Sequence, residues 1–193
     1  MLLIQMTGLS GAGKSSIATI AGESLIVAGY KVELLDGDEC RRQLCHDLGF
    51  SKADRLENIR RLGYVGLVLA KHGVITILAA INPYEEAREA LKNKSPLTKT
   101  VFIDCPLGVV KQRDTKGLYQ KALLPPGHPD HIEHFTGISD PYEIPHQADL
   151  TIQTHTETKE QSAKRLIDFI IQTIRRQTDG IHTSNKIPAM LHY

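Results

Sequence analysis

A chain of 193 residues can bury a full hydrophobic core without disulfides or a structural metal, and its length points to one domain. Its 23 Lys and Arg against 22 Asp and Glu leave a net charge of +1, which speaks against a nucleic-acid or acidic-lipid surface spread over the whole molecule. With 41% hydrophobic and 23% charged residues, the composition is that of a folded domain rather than a disordered chain.

In chain order, the first apolar run covers residues 2–6. It lacks a basic flank and is too short for a signal sequence. No run approaches the ~18 residues of a membrane span, so neither export nor membrane insertion is expected. Further apolar runs lie at 32–35, 74–81, 100–105 and 150–152. They do not alternate polar with apolar, and continuous apolar strands indicate a parallel sheet buried on both faces. Helical patterns lie between them. Ile17, Ala21, Ser24 and Ala28 form one stripe, with Gly29 placed to stop it. Leu56, Ile59, Gly63, Gly66 and Ala70 form a second, ending near Gly73, whose small residues predict close packing on a neighbour. Ala163, Ile167, Ile170 and Ile174 form the stripe of a last helix. Strands alternating with helices predict an α/β fold, a three-layer α/β/α sandwich around a five-stranded parallel sheet. Residues 1–176 are read as one domain. Within it, 114–147 is rich in Pro and Gly and is read as a functional lid or a disordered segment. Residues 177–193 are read as a polar tail on the surface or on a partner chain. Cys40, Cys45 and Cys105 cannot all pair and have no zinc spacing, so they are read as reduced thiols of a cytosolic protein.

Residues 8–15, Gly8-Leu9-Ser10-Gly11-Ala12-Gly13-Lys14-Ser15, match G-x-x-x-x-G-K-[ST], with a strand before and a helix after. Such a loop points backbone N–H groups at phosphate, and the helix N-terminus adds partial positive charge. Lys14 is expected on the β- and γ-phosphates and Ser15 on Mg²⁺, with Ser16 completing the ATP site. Asp36 and Asp38 follow the second strand. In an extended segment i and i+2 share a face, so both carboxylates are expected together at the strand's carboxyl end. One would hold Mg²⁺ through water; the other would take a proton from, or orient, an acceptor hydroxyl. Arg41, Arg42, Arg55, Arg60 and Arg61 form a basic cluster, and Arg55 and Asn58 share a helix face suited to an anionic acceptor. Phe50 and Phe135 lie in loop-like stretches and would either stack on a base or anchor the core. His128, His131 and His134 are spaced by three, but neighbouring prolines make a helical metal face doubtful, and they are read as polar lid residues.

Together these residues resemble the adenylylsulfate kinase (APS kinase) family. The resemblance rests on the loop at 8–15, L-D-G-D at 35–38, D-L-G-F-S at 47–51 and D-R-L-E-N-I-R-R at 54–61. It continues in R-D-T-K-G-L-Y at 113–119, F-T-G-I at 135–138 and D-P-Y-E at 140–143. It implies transfer of the ATP γ-phosphoryl group, with Mg²⁺, to the ribose 3′-hydroxyl of adenosine 5′-phosphosulfate (APS). By the same resemblance, Lys14 and Asp38 are catalytic, and Asp38 reaches Mg²⁺ through water. Asp38, Arg41, Phe50, Arg55, Asn58, Ile81, Asn82, Lys116 and Phe135 hold APS, the two phenylalanines around its adenine, and the segment around 114–135 is a mobile lid. The implied partners are a second copy of the chain and, as pathway neighbour, a sulfate adenylyltransferase, with no nucleic acid or membrane; the implied location is cytoplasmic. Three features depart from the family pattern. Asn82 stands where many members carry a serine described as a phosphorylated intermediate, which favours direct transfer. Glu39 stands in place of Asn, and residues 123–131 lengthen the lid, which bears on its kinetics and on substrate inhibition. The competing readings are a kinase for another small hydroxyl acceptor, such as gluconate, shikimate or a nucleoside, and a nucleotide switch without an acceptor.

Overall fold

The structure, a computed structural model, describes residues 1–184. Five strands, β1 (Leu3–Thr7), β2 (Val32–Asp36), β3 (Ile75–Ala79), β4 (Thr98–Asp104) and β5 (Leu150–Gln153), form one sheet in the order β2-β3-β1-β4-β5. Every neighbouring pair is parallel, as the continuous apolar runs predict. The helices are α1 (Lys14–Val27), α2 (Gly37–Gln43), α3 (Lys52–Lys71), α4 (Glu85–Lys94), α5 (Leu107–Arg113), α6 (Leu118–Ala122) and α7 (Lys159–Ser184).

Side-chain alternation along β1 divides the core. Leu2, Ile4 and Met6 pack with Ile17, Ala21, Leu25, Leu166 and Ile170 on the face covered by α1 and α7. Leu3 joins Ile59, Leu62, Leu78 and Leu91 on the face covered by α3 and α4. The result is the expected three-layer sandwich. The small residues of α3 do what their spacing predicts. A Cβ at Gly63 would lie 2.2 Å from Leu91 Cδ2 and one at Gly66 2.7 Å from Leu3 Cδ1, so α3 rests directly on α4 and the sheet.

Four expectations need correction. The buried stripe of α1 is Ile17, Ala18, Ala21 and Leu25, whereas Ser24 and Ala28 face solvent. The Ser24 hydroxyl donates back to the Ile20 carbonyl at 2.9 Å, a local bond that suits the exposed side of a helix. Asp38 is not on an extended segment: β2 ends at Asp36, and Asp38 lies in the first turn of α2. The chain turns there because the Asp36 carboxylate accepts from the Asp38 and Glu39 amides at 2.9 and 3.3 Å and so caps the helix. The stretch 114–147 contains one short helix, α6, whose first amides are taken by the Asp114 carboxylate, at 3.0 Å to Tyr119 and 2.9 Å to Gln120. At the other end of the chain, α7 runs past 176 to Ser184, and the rest of the expected tail lies outside the described residues. The three cysteines are free and buried. No helix among the described residues is long and apolar enough to cross a membrane.

Candidate active site

The carboxyl ends of β1, β2 and β3 open into a cavity of about 1270 Å³. One wall is the loop between β1 and α1. Gly8 has φ 154, and a Cβ there would sit 2.5 Å from the Ile103 carbonyl oxygen, so the chain can leave β1 only as glycine. Gly13, at φ 102, starts α1 in the left-handed region. The loop is also braced from outside. The Thr154 hydroxyl donates to Ala12 O at 2.8 Å, the Tyr119 hydroxyl to Ser10 O at 3.0 Å, and Gly8 N to Ile81 O at 3.2 Å. Ser10, Gly11, Ala12, Gly13, Lys14, Ser15 and Ser16 line the cavity; Gly8 and Leu9 do not, Gly8 being turned against β4.

Lys14 is 8% exposed, and its ammonium donates to Gly8 O at 2.9 Å and Leu9 O at 2.8 Å. Burial pushes its pKa down to about 8, against the opposing pull of Asp38, with Lys116 adding to the fall and Asp36 resisting it. The Ser15 hydroxyl donates to Asp36 Oδ2 at 2.7 Å. Burial raises the Asp36 carboxyl, but the Ser15 hydroxyl and the Glu39 and Asp38 amides outweigh it and hold the group below its usual range. The carboxylate in contact with Ser15 is therefore Asp36, a contact that sequence reading did not assign. Asp38 instead pairs with Lys116 of the 114–147 segment. Both partners are more than half exposed, so this pair is worth at most ~1 kcal/mol and separates easily.

The opposite wall is assembled from distant segments. Arg41 of α2 donates to Gly49 O at 2.6 Å and lies 4.6 Å from the centre of the Phe50 ring. Arg55 of α3, 7% exposed, has its guanidinium carbon 5.5 Å from the same ring and donates to Phe50 O at 3.0 Å and to His134 O. Asp140 Oδ2 stands 3.8 Å from Arg55 Nε and also flanks His134. Phe50 is 52% exposed, as a stacking surface requires. Phe135 is 7% exposed and meets Tyr119 edge-on at 4.9 Å, so it lines the cavity and anchors the core at once. Asn58, Ile81, Asn82 and Lys116 complete this wall. Asn58 Oδ1, Asn82 Oδ1 and Thr136 Oγ1 are buried there without a protein partner. Of the three histidines, His134 serves Asp140, His128 Nδ1 accepts from the Asp130 amide, and no group of three potential metal ligands occurs among the described residues.

Sequence reading missed the frame behind both walls. Arg88 of α4, 1% exposed, pairs with Glu85 and donates to Asn82 O at 2.7 Å and Glu143 O at 2.7 Å, tying the loop after β3 to the D-P-Y-E segment. A lone arginine in an amphipathic helix carries no sign of such burial. Arg113 was inside a quoted motif but unassigned; it donates to Thr154 O at 2.7 Å beside the phosphate loop.

Comparison with known proteins places this geometry. The family model described as Adenylylsulphate kinase matches residues 1–153. The chain is 48% identical over 168 residues to an adenylyl-sulfate kinase of Deinococcus deserti, covering 87% of this chain and 90% of that protein. It is 44% identical over 165 residues to a probable bifunctional SAT/APS kinase of Sorangium cellulosum, covering 86% of this chain and 28% of that protein. The structure of the Mycobacterium tuberculosis APS kinase in complex with AMPPNP and APS superposes with a TM-score of 0.81 at 39% identity, covering 88% of this chain and 96% of that one.

Proposed function

The chain belongs to the adenylylsulfate kinase family, and from that premise we propose how its residues divide the work. The enzyme is an ATP-dependent kinase that transfers the γ-phosphoryl group to the 3′-hydroxyl of APS, giving 3′-phosphoadenylyl sulfate and ADP. The observation that carries the assignment of roles is the single cavity, with a phosphate loop on one wall and two arginines flanking an exposed phenylalanine on the other.

The backbone of residues 8–15 cradles the phosphates of ATP. Lys14 exchanges its bonds to Gly8 and Leu9 for phosphate oxygens. Mg²⁺ fits the donor set at the edge of the cradle: a serine hydroxyl and a carboxylate held below its usual range are hard oxygen ligands, and an ion of this kind takes its remaining positions from phosphate and water. Ser15 and Asp36 would hold it, and it would supply charge neutralisation at the β- and γ-oxygens. Asp38 takes the proton of the 3′-hydroxyl once Lys116 has turned to the phosphosulfate. Arg41 and Arg55 grip the phosphosulfate as planar, permanently charged forks. Phe50 and Phe135 enclose the adenine, and Asn58, Ile81 and Asn82 fix the nucleoside. Asn82 has no hydroxyl to carry a phosphoryl group, so transfer is direct.

Residues 1–176, with α7 continuing to Ser184, act as one kinase domain, with 114–147 closing over the acceptor. The family resemblance supports a homodimer in the cytoplasm, and the Sorangium fusion supports a sulfate adenylyltransferase as the source of APS. The test is ADP formation from MgATP with a panel of acceptors. Turnover is expected with APS and not with gluconate, shikimate or adenosine; APS-independent hydrolysis alone would point to a nucleotide switch.

A further inference from the structure

Gln5 lies in the middle of β1, wholly buried, on the sheet face where its strand neighbour Leu3 packs against α3. An amide in such a place is costly unless its groups are paired. Its Nε2 donates to the Arg88 carbonyl and the Thr100 hydroxyl, both at 3.0 Å. A backbone carbonyl only accepts, so the Gln5 nitrogen must point toward α4 and its oxygen away. That oxygen accepts from Asn82 Nδ2 at 3.2 Å. The Asn82 carboxamide is fixed in turn: its nitrogen is committed to Gln5, and Oδ1 faces the other way, buried and without a protein donor.

The backbone of Asn82 is equally constrained. It holds φ 44, in the left-handed region, and its carbonyl accepts from the Thr7 hydroxyl at 2.9 Å and from Arg88 at 2.7 Å. A non-glycine residue persists in that region when its surroundings over-determine it, and such residues gather at functional sites. Asn82 lines the cavity. A buried acceptor in such a wall is satisfied at least cost by a donor that the ligand brings.

We propose that Asn82 Oδ1 accepts a hydrogen bond from the nucleoside of the acceptor nucleotide, and that Gln5 is the positioning residue that turns Asn82 acceptor-outward without touching the ligand. The inference rests on reading this wall as the APS site. The nucleoside offers two such donors besides the reacting hydroxyl: the adenine amino group and the ribose 2′-hydroxyl.

The test compares the wild type with Asn82→Gly, which removes the acceptor and suits the left-handed backbone, and with Gln5→Met, which keeps the side-chain shape and removes the orienting amide. Each is assayed at saturating MgATP with APS, with the purine-riboside analogue lacking the amino group, and with the 2′-deoxy analogue. In the wild type one analogue should lose roughly tenfold or more in kcat/KM, because a site built around a donor rejects a ligand without it. In both variants that penalty should shrink to about twofold, the signature of a coupled pair. A penalty carried by the amino group assigns the donor to the base; one carried by the 2′-hydroxyl assigns it to the ribose. Destabilisation alone would lower all rates together and leave these ratios unmoved. Wild-type ratios retained in both variants overturn the inference, whereas a wild type inert with APS overturns the reading of the site itself.

Discussion

The two walls of the cavity, one proposed for each substrate, are made in opposite ways. The phosphate cradle is a run of consecutive residues between β1 and α1, its path set by Gly8 against Ile103 and Gly13 at the start of the helix. The acceptor wall draws on α2, α3, the loop after β3 and the segment near 135, joined by contacts such as Arg55 to His134 and Arg88 to Asn82. The cradle is continuous in sequence and stands on the sheet, and Thr154 and Tyr119 brace it from outside without entering its run. The acceptor wall exists only when separate parts of the chain meet. ATP binding and APS binding should therefore be separable by substitution.

The largest effect is expected in the cradle. Lys14→Ala should lower kcat by at least ~10²–10³-fold, since it removes charge aimed at the transferring phosphoryl group. It should not lower the thermal midpoint, because burial already disfavours the Lys14 ammonium. Steady-state kinetics with a melting curve checks both; near-normal kcat would break the cradle assignment. Next is Asp38→Asn at the boundary of the walls, expected to lower kcat by ~10²-fold with KM for APS changed much less. A change in KM alone would move Asp38 from proton acceptor to binding residue.

A smaller effect concerns pH. Burial puts Lys14 at about 8, below its ordinary value of 10.5. Between these values the unfolded chain holds a proton that the folded free enzyme has released, so the free enzyme's stability gains from this group as pH rises. ATP needs the charged form, so its affinity should fall as pH rises through about 8, with proton uptake on binding. Titration calorimetry in buffers of different ionisation enthalpy reads that uptake. Lys14→Ala should abolish it, and uptake that survived the substitution would belong to another group.

The same contrast explains what could be read from sequence. The strands, their parallel order and the cradle follow from apolar runs and one local motif. Arg55, Asn58 and the phenylalanines could be nominated from spacing and resemblance. Their supports could not, because Asp140 beside Arg55 and Gln5 behind Asn82 are set by contacts across 85 and 77 positions of chain. Asp38 was misplaced for a local reason: a carboxylate at the end of β2 caps α2 and turns the chain sooner than a strand pattern implies. Phe135 had two readings from sequence: its packing on Tyr119 bears out the core anchor, while its place in the cavity lining is where the proposed adenine contact would form.

The separability of the walls is tested most directly by measuring ATP and APS affinities on Phe50→Ala, with Phe135→Ala beside it. Phe50 is 52% exposed and contacts Arg41 and Arg55, so its loss should leave the fold and the cradle intact. APS should weaken by about 1–3 kcal/mol, the worth of one aromatic–base stack, with ATP affinity and the thermal midpoint unchanged. Phe135→Ala should weaken APS similarly but also lower the midpoint, through its lost contact with Tyr119. Equal weakening of ATP and APS by Phe50→Ala would contradict the account, because the exposed ring would then support the whole cavity rather than one wall of it.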